Sequence, residues 1–172
     1  LVRVTWLVGV VVMAHITIEY VIMLPILIMQ IILFPLTASW LMNIWTDSRR
    51  TLALQEVASH LGSVIQQVYF TLNHETIAVG SITQKTDVPP FIENYPYIGN
   101  ATLKTVLDPS MKSSKILKIT LKLEGAGTTV TTTVLLGENA VWRESAFLSN
   151  STNACIIAQK FANKTILLAF GG

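Results

Sequence analysis

The chain has 172 residues and a net charge of +2, which leaves room for a hydrophobic segment and one domain of about 100 residues. Its Lys and Arg residues are scattered and form no basic stripe that could follow phosphates, so we expect no nucleic-acid partner. The single cysteine, Cys155, excludes an intrachain disulfide and a Cys-x-x-Cys metal site. We expect Cys155 to be a small buried hydrophobic residue rather than a reactive thiol or an intermolecular disulfide.

The first part of the chain is an apolar run. From residue 4 to residue 45, His15 and Glu19 are the only acidic or basic side chains. The length of this run predicts a helix longer than is needed to cross a bilayer. A carboxylate inside hydrocarbon costs about 3 kcal/mol or more, so Glu19 either reaches the membrane surface or meets a positively charged partner. Pro25 and Pro35 are predicted to bend the helix, because each removes one backbone hydrogen bond.

The next stretch is amphipathic and predicts that the helix continues to about Asn73. Its apolar residues recur at steps of three and four, which places them on one helix face. These residues are Leu54, Val57, Ala58, Leu61, Ile65, Val68 and Leu72. We therefore expect a long helix over 15–74, apolar all round in its first half and with one apolar face in its second half.

After His74 the pattern changes to short segments typical of β-strands, separated by turn residues. Seven strands are predicted: Thr76–Gln84, Ala101–Leu107, Ile116–Leu123, Thr128–Leu136, Ala140–Leu148, Ala154–Lys160 and Lys164–Phe170. Strands at this spacing predict an antiparallel β-sandwich-like domain over 75–172. The expected fold class is therefore α+β, a long N-terminal hydrophobic helix followed by a C-terminal β-domain.

The sequence contains no arrangement of residues typical of an enzyme, a metal site or a cofactor site, so we expect none of these. Glu56 and His60 lie four residues apart on one helix face, a spacing more typical of a solvated contact than of a metal site. Tyr95 and Tyr97 are candidates for an exposed contact. Four aromatic residues are predicted to lie in the core: Trp142, Phe147, Phe161 and Phe170.

Three Asn-x-Ser/Thr sequons begin at Asn100, Asn150 and Asn163. All three lie beyond the apolar run, where an exported domain would carry N-linked glycans. They indicate that the β-domain faces the outside of the cell. Several glycans without a disulfide fit an archaeal surface protein better than a eukaryotic secreted one.

The segment Ala-His-Ile-Thr-Ile-Glu-Tyr-Val-Ile-Met-Leu, which begins at Ala14, resembles the archaeal type IV prepilin processing motif, a class III signal peptide. That motif has Gly or Ala before Gln-x-x-x-Glu-Tyr. Ala14 matches the small residue and Glu19 matches the acid, while His15 stands in the place of Gln. The resemblance implies that a prepilin peptidase cuts between Ala14 and His15 and removes residues 1–14. A start at Met13 would instead leave a leader of two residues.

The resemblance also implies a function. In such pilins a membrane platform driven by an ATPase stacks the long helices into a filament core, with the β-domains outside. The chain would then be a structural subunit that sits in the membrane and afterwards polymerises with itself into an extracellular filament for adhesion or surface attachment. Glu19 would pair with the α-amino group of His15 in a neighbouring subunit and set the register. Archaeal pilins often carry N-linked glycans, in agreement with the sequons.

Two alternatives stay open. The pairs Glu19-Tyr20 and Leu24-Pro25 are similar to those of TadE-like pseudopilins, which are minor or priming components of a pilus machine. The other alternative is a monomeric extracellular binding or sensor domain that uses the apolar run only as a membrane anchor. In that case the position of Glu19 would be incidental.

Overall fold

The structure, a computed structural model, describes residues 2–106 and 114–171, and for residues 2–19 it describes the backbone alone. The fold is α+β, as predicted: one long N-terminal helix is followed by two packed four-stranded sheets. The elements are α1 (Val2–Asn73), β1 (Gly80–Lys85), β2 (Tyr97–Val106), β3 (Ser114–Leu123), β4 (Thr129–Leu136), β5 (Ala140–Trp142), β6 (Ala146–Leu148), β7 (Cys155–Lys160) and β8 (Ile166–Gly171).

The chain divides into two compact units, Leu1–Thr46 and Asp47–Gly172. The first unit is helical, and the helix continues through both Pro25 and Pro35. The bend predicted at these prolines stays a prediction. The second unit contains the rest of α1 together with all the strands, so the amphipathic part of the helix belongs to the same compact unit as the sheets.

The amphipathic stripe of α1 is buried, as the spacing of its apolar residues predicts. All seven predicted residues are at most 6% exposed, and Tyr69 joins them at 2%. At Gly62 the helix backbone lies so close to the sheet that an added Cβ would be 2.9 Å from Val134 of β4. Gly62 therefore permits a close approach that a larger side chain would prevent.

Strands β1, β7, β8 and β5 form sheet I, in that order, and strands β4, β3, β2 and β6 form sheet II. Each sheet turns alternate side chains inward. In β3, for example, Leu117, Ile119 and Leu121 are fully buried, while Lys118 and Lys122 are exposed. The core therefore lies between the two sheets and beneath the buried stripe of α1. This is the arrangement in which each element covers the apolar face of another.

Two features of the sheets differ from the prediction. The predicted strand Ala140–Leu148 is two short strands, and these lie in different sheets. The chain crosses between the sheets at residues 143–145, where the N–H of Arg143 donates to Leu168 and the hydroxyl of Ser145 accepts from the N–H of Phe170. The second difference is that β5 pairs with β8 in parallel, in a domain that is otherwise antiparallel.

The first two strands also begin at residues other than those predicted. The predicted strand Thr76–Gln84 begins only at Gly80, because residues after the helix form a turn in which the N–H of Ile77 donates to the carbonyl of His74. Strand β2 begins at Tyr97, four residues before its predicted start, since its first residues pair with β3. The predicted end of this strand, Leu107, lies outside the described residues.

Candidate functional site

The most unusual surface of the molecule is the apolar segment of α1 from Tyr20 to Trp45. Every side chain in it is exposed. Its large apolar side chains are between 46% exposed, at Leu33, and 76% exposed, at Phe34. Among the described residues α1 is the one helix long and apolar enough to cross a membrane, and an 18-residue window in it has a mean hydropathy of 2.4. Isolated exposed apolar residues are ordinary, but a continuous apolar surface of this size marks a lipid or protein contact.

Besides its aromatic residues, this segment has four polar side chains: Gln30, Thr37, Ser39 and Asn43. The hydroxyl of Thr37 donates to the carbonyls of Leu33 and Phe34, at 3.0 and 2.9 Å, and is thereby satisfied within the helix. Gln30 and Asn43 carry primary amides that are exposed and have no hydrogen-bond partner among the described residues. In hydrocarbon these amides would each require a partner on another molecule.

The predicted processing residues, Ala14 and His15, and the predicted registration residue, Glu19, have side chains outside the described residues. The structure describes only their helical backbone. Cleavage after Ala14 and the pairing of Glu19 therefore stay predictions from the sequence.

The three sequon asparagines are all exposed. Asn100 lies on the outward face of sheet II, paired with Thr120 of β3. Asn150 follows β6 in a turn. Asn163 lies in the turn between β7 and β8, where its side-chain oxygen accepts the N–H of Thr165 at 3.1 Å. These positions leave room for an attached glycan, and its presence stays a prediction.

A cluster around Arg50 holds a tight turn against the first residues of the second unit. The Arg50 guanidinium donates to the carboxylate of Glu93 at 2.8 Å and lies 5.2 Å from the centre of the Tyr95 ring. It also meets Asp47 at 3.5 Å. Glu93 and Asn94 have φ values of 47° and 68°, in the left-handed region that two-residue turns between antiparallel partners require. The contact with Arg50 offsets the strain at Glu93.

The end of α1 is fixed by a second polar cluster that the sequence does not reveal. The Tyr69 hydroxyl donates to the side-chain oxygen of Asn139 and accepts the N–H of Gly137 at 3.1 Å. The amide of Asn139 donates to the Asn73 side chain and to the carbonyl of Lys164. Burial of the Tyr69 ring raises the pKa of its hydroxyl, and the hydrogen bond from Gly137 opposes that shift. These hydrogen bonds tie the end of α1 to the turn before β5 and to the turn before β8.

The aromatic predictions are partly wrong. Trp142, Phe147 and Phe170 pack with one another in the core, with the rings of Trp142 and Phe170 4.9 Å apart. Phe161 is 39% exposed, because it lies at the start of the turn after β7. Tyr97, predicted to be exposed, is fully buried.

Two further positions that the sequence singles out are the pair Glu56 and His60 and the single cysteine, Cys155. Glu56 and His60 are exposed and line a cavity of about 370 Å³ together with Asp87. Among the described residues no group of three or more His, Cys, Asp or Glu side chains is placed to hold a metal ion. Cys155 is a free thiol and is half-buried rather than fully buried, because it begins β7 on the outward face of sheet I.

Neither a protein-family model, nor a curated sequence, nor a solved structure matches this chain. The function of the protein must therefore be inferred from its own surfaces, above all from the exposed apolar segment.

Proposed function

We propose that the protein is a pilin-like structural subunit, which assembles through its N-terminal helix into an extracellular filament of the archaeal type IV kind. One observation carries the proposal. The side chains of α1 from Tyr20 to Trp45 are exposed and mostly apolar, whereas its stripe from Leu54 to Leu72 is buried within the second unit. An exposed apolar surface of this length needs a cover of lipid or protein.

Two environments can cover such a segment, and we propose that the subunit occupies them one after the other: first the bilayer, then the filament core. Before assembly the bilayer covers it, since about 20 apolar residues are enough to cross the hydrocarbon core. In the filament the same segments of neighbouring copies would cover one another. A prepilin peptidase would release the new N-terminus at His15, and an ATPase-driven membrane platform would move the subunit from lipid into the polymer.

The β-containing unit would form the outer surface of the filament. The exposed positions of Asn100, Asn150 and Asn163 support this arrangement, because glycans attached there would not disturb the core. The outward face of sheet II is rich in Thr and Lys and has the character of a solvated surface. Adhesion or surface attachment is the activity that fits such a coated filament.

The experiment is replacement of Glu19→Ala in native cells, followed by electron microscopy of shed filaments. We expect filaments to be lost while the membrane fraction retains a folded subunit, because the carboxylate would no longer pair with the terminal amine of a neighbour. Glu56→Ala is the matched control, since Glu56 is an exposed acid on the second unit. Normal filaments in the Glu19→Ala strain would contradict the proposed role of Glu19.

Wild-type cells also distinguish a filament subunit from a monomeric domain that uses its helix only as a membrane anchor. A wild-type protein that is extracted from membranes only as a monomer, with no filament on the cell, would contradict assembly. It would leave the anchored binding domain as the better explanation.

A further inference from the structure

A groove opens on the exposed face of α1 beside Pro35. It has a volume of about 610 Å³ and is lined by Leu27, Gln30, Ile31, Leu33, Phe34, Pro35 and Thr37. Its walls are mostly apolar, and Gln30 contributes a primary amide. The groove lies near the middle of the apolar segment, since Gln30 is about 15 Å along the helix from Tyr20 and about 22 Å from Trp45.

The Gln30 amide is an unsatisfied donor in this groove. It has two N–H groups and one carbonyl oxygen, and none has a hydrogen-bond partner among the described residues. At this depth no water is available in a bilayer, and a Gln side chain in such a position is satisfied by a neighbouring helix. Thr37 differs, because its hydroxyl already donates within the helix.

Ile31, which also lines the groove, lacks the usual helical donor to its carbonyl. The carbonyl of Ile31 would normally accept from the N–H of residue 35, but Pro35 has none. The nearby Thr37 hydroxyl donates to Leu33 and Phe34 instead, so it does not replace the missing donor. The unpaired amide of Gln30 and the carbonyl of Ile31, which lacks its usual helical donor, therefore belong to consecutive residues that both line the groove.

We propose that this groove is a helix–helix contact with a second copy of the chain, in which the Gln30 amide of one copy donates to the Ile31 carbonyl of the other. In copies inserted in the same direction, the Cα atoms of Gln30 in one helix and Ile31 in the other lie about 1.5 Å apart in depth, within reach of the flexible Gln30 side chain. The inference rests on the proposed membrane insertion and self-assembly, and it specifies the residues through which the helices first recognise each other.

The experiment measures association of the full-length chain in lipid bilayers by energy transfer between copies labelled at Cys155, its single cysteine and a half-buried free thiol. We expect Gln30→Leu to weaken association about 3- to 20-fold, the range for one interhelical hydrogen bond. Pro35→Ala should also weaken it, because the restored N–H of residue 35 would occupy the Ile31 carbonyl. The double variant should then be no weaker than either single variant.

Asn43→Leu is the matched control, because Asn43 is also an exposed amide in the apolar segment but does not line the groove. Wild-type association in Gln30→Leu would overturn the contact, as would equal weakening in Asn43→Leu. Additive effects of Gln30→Leu and Pro35→Ala would show that the two groups do not meet. A wild-type chain that stays monomeric would overturn both the contact and the proposed function, whereas filaments that tolerate Gln30→Leu would overturn the contact alone.

Discussion

At the scale of single residues, Tyr97 best shows how side chains join distant parts of the chain. Its hydroxyl donates to the carbonyl of Pro89 at 2.7 Å, and its N–H donates to the hydroxyl of Ser149 at 2.9 Å. Ser149 in turn donates to the carbonyl of Pro90 at 2.8 Å. One tyrosine thus links the proline-containing loop, the start of β2 and the end of β6.

The burial of Tyr97 could not be predicted from its neighbours in sequence. A tyrosine between prolines and turn residues has the local pattern of an exposed loop. Its position is decided by the pairing of β2 with β3 and β6, which brings residues about 25 and 50 positions away to its side. Such pairings depend on the whole sheet, so a local pattern does not contain them.

We predict that Tyr97→Phe lowers the free energy of unfolding by about 1 kcal/mol at neutral pH, through loss of the hydrogen bond to Pro89. Burial raises the pKa of Tyr97 above its ordinary value, so the folded state holds the proton where the unfolded chain releases it. The stability of the wild type, relative to the variant, is therefore fully present below about pH 10 and declines above it.

The measurement is urea unfolding of both proteins in detergent, followed by circular dichroism from pH 7 to about pH 11.5. Tyr95→Phe serves as a control at a half-buried tyrosine. A difference between wild type and Tyr97→Phe that stays constant over this range would contradict the linkage to Tyr97.

At the scale of elements, helix α1 is the part that the sequence predicts best. The steps of three and four between apolar residues identify all seven stripe residues, because helix periodicity is a local property. The crossing between β5 and β6 is not local. Its residues 143–145 contain neither Gly nor Pro, and only the hydrogen bonds to β8 explain why the chain changes sheet there.

Helix α1 has a buried leucine in its stripe and an exposed leucine outside it, so one prediction can be tested against a control on the same helix. Leu61→Ala should lower the free energy of unfolding by about 2–5 kcal/mol, because Leu61 is fully buried and its loss leaves a cavity. Leu52→Ala should change it by at most about 0.5 kcal/mol, since Leu52 is 64% exposed. Urea unfolding in detergent measures both. Equal effects of the two substitutions would show that α1 does not pack on the sheets as described.

At the scale of the whole molecule, some parts of the candidate site can be recognised from the sequence, and others are visible only in the folded structure. The apolar run and the sequons can be recognised in the sequence, and the structure places the segment from Tyr20 to Trp45 and the three sequon asparagines on the surface. The groove at Pro35 depends on how Gln30 and Phe34 are arranged around the helix. The cluster of Arg50 with Glu93 and Tyr95 depends on the return of a distant loop to the helix, which no spacing in the sequence indicates.

The proposed assembly requires that the long helix begin at a processed end close to Glu19. N-terminal sequencing of subunits from purified native filaments tests this requirement most directly. We predict a single N-terminus at His15, which makes Glu19 the fifth residue of the mature chain. A native chain that retains residues 1–14 and is recovered only as a membrane-bound monomer would contradict it.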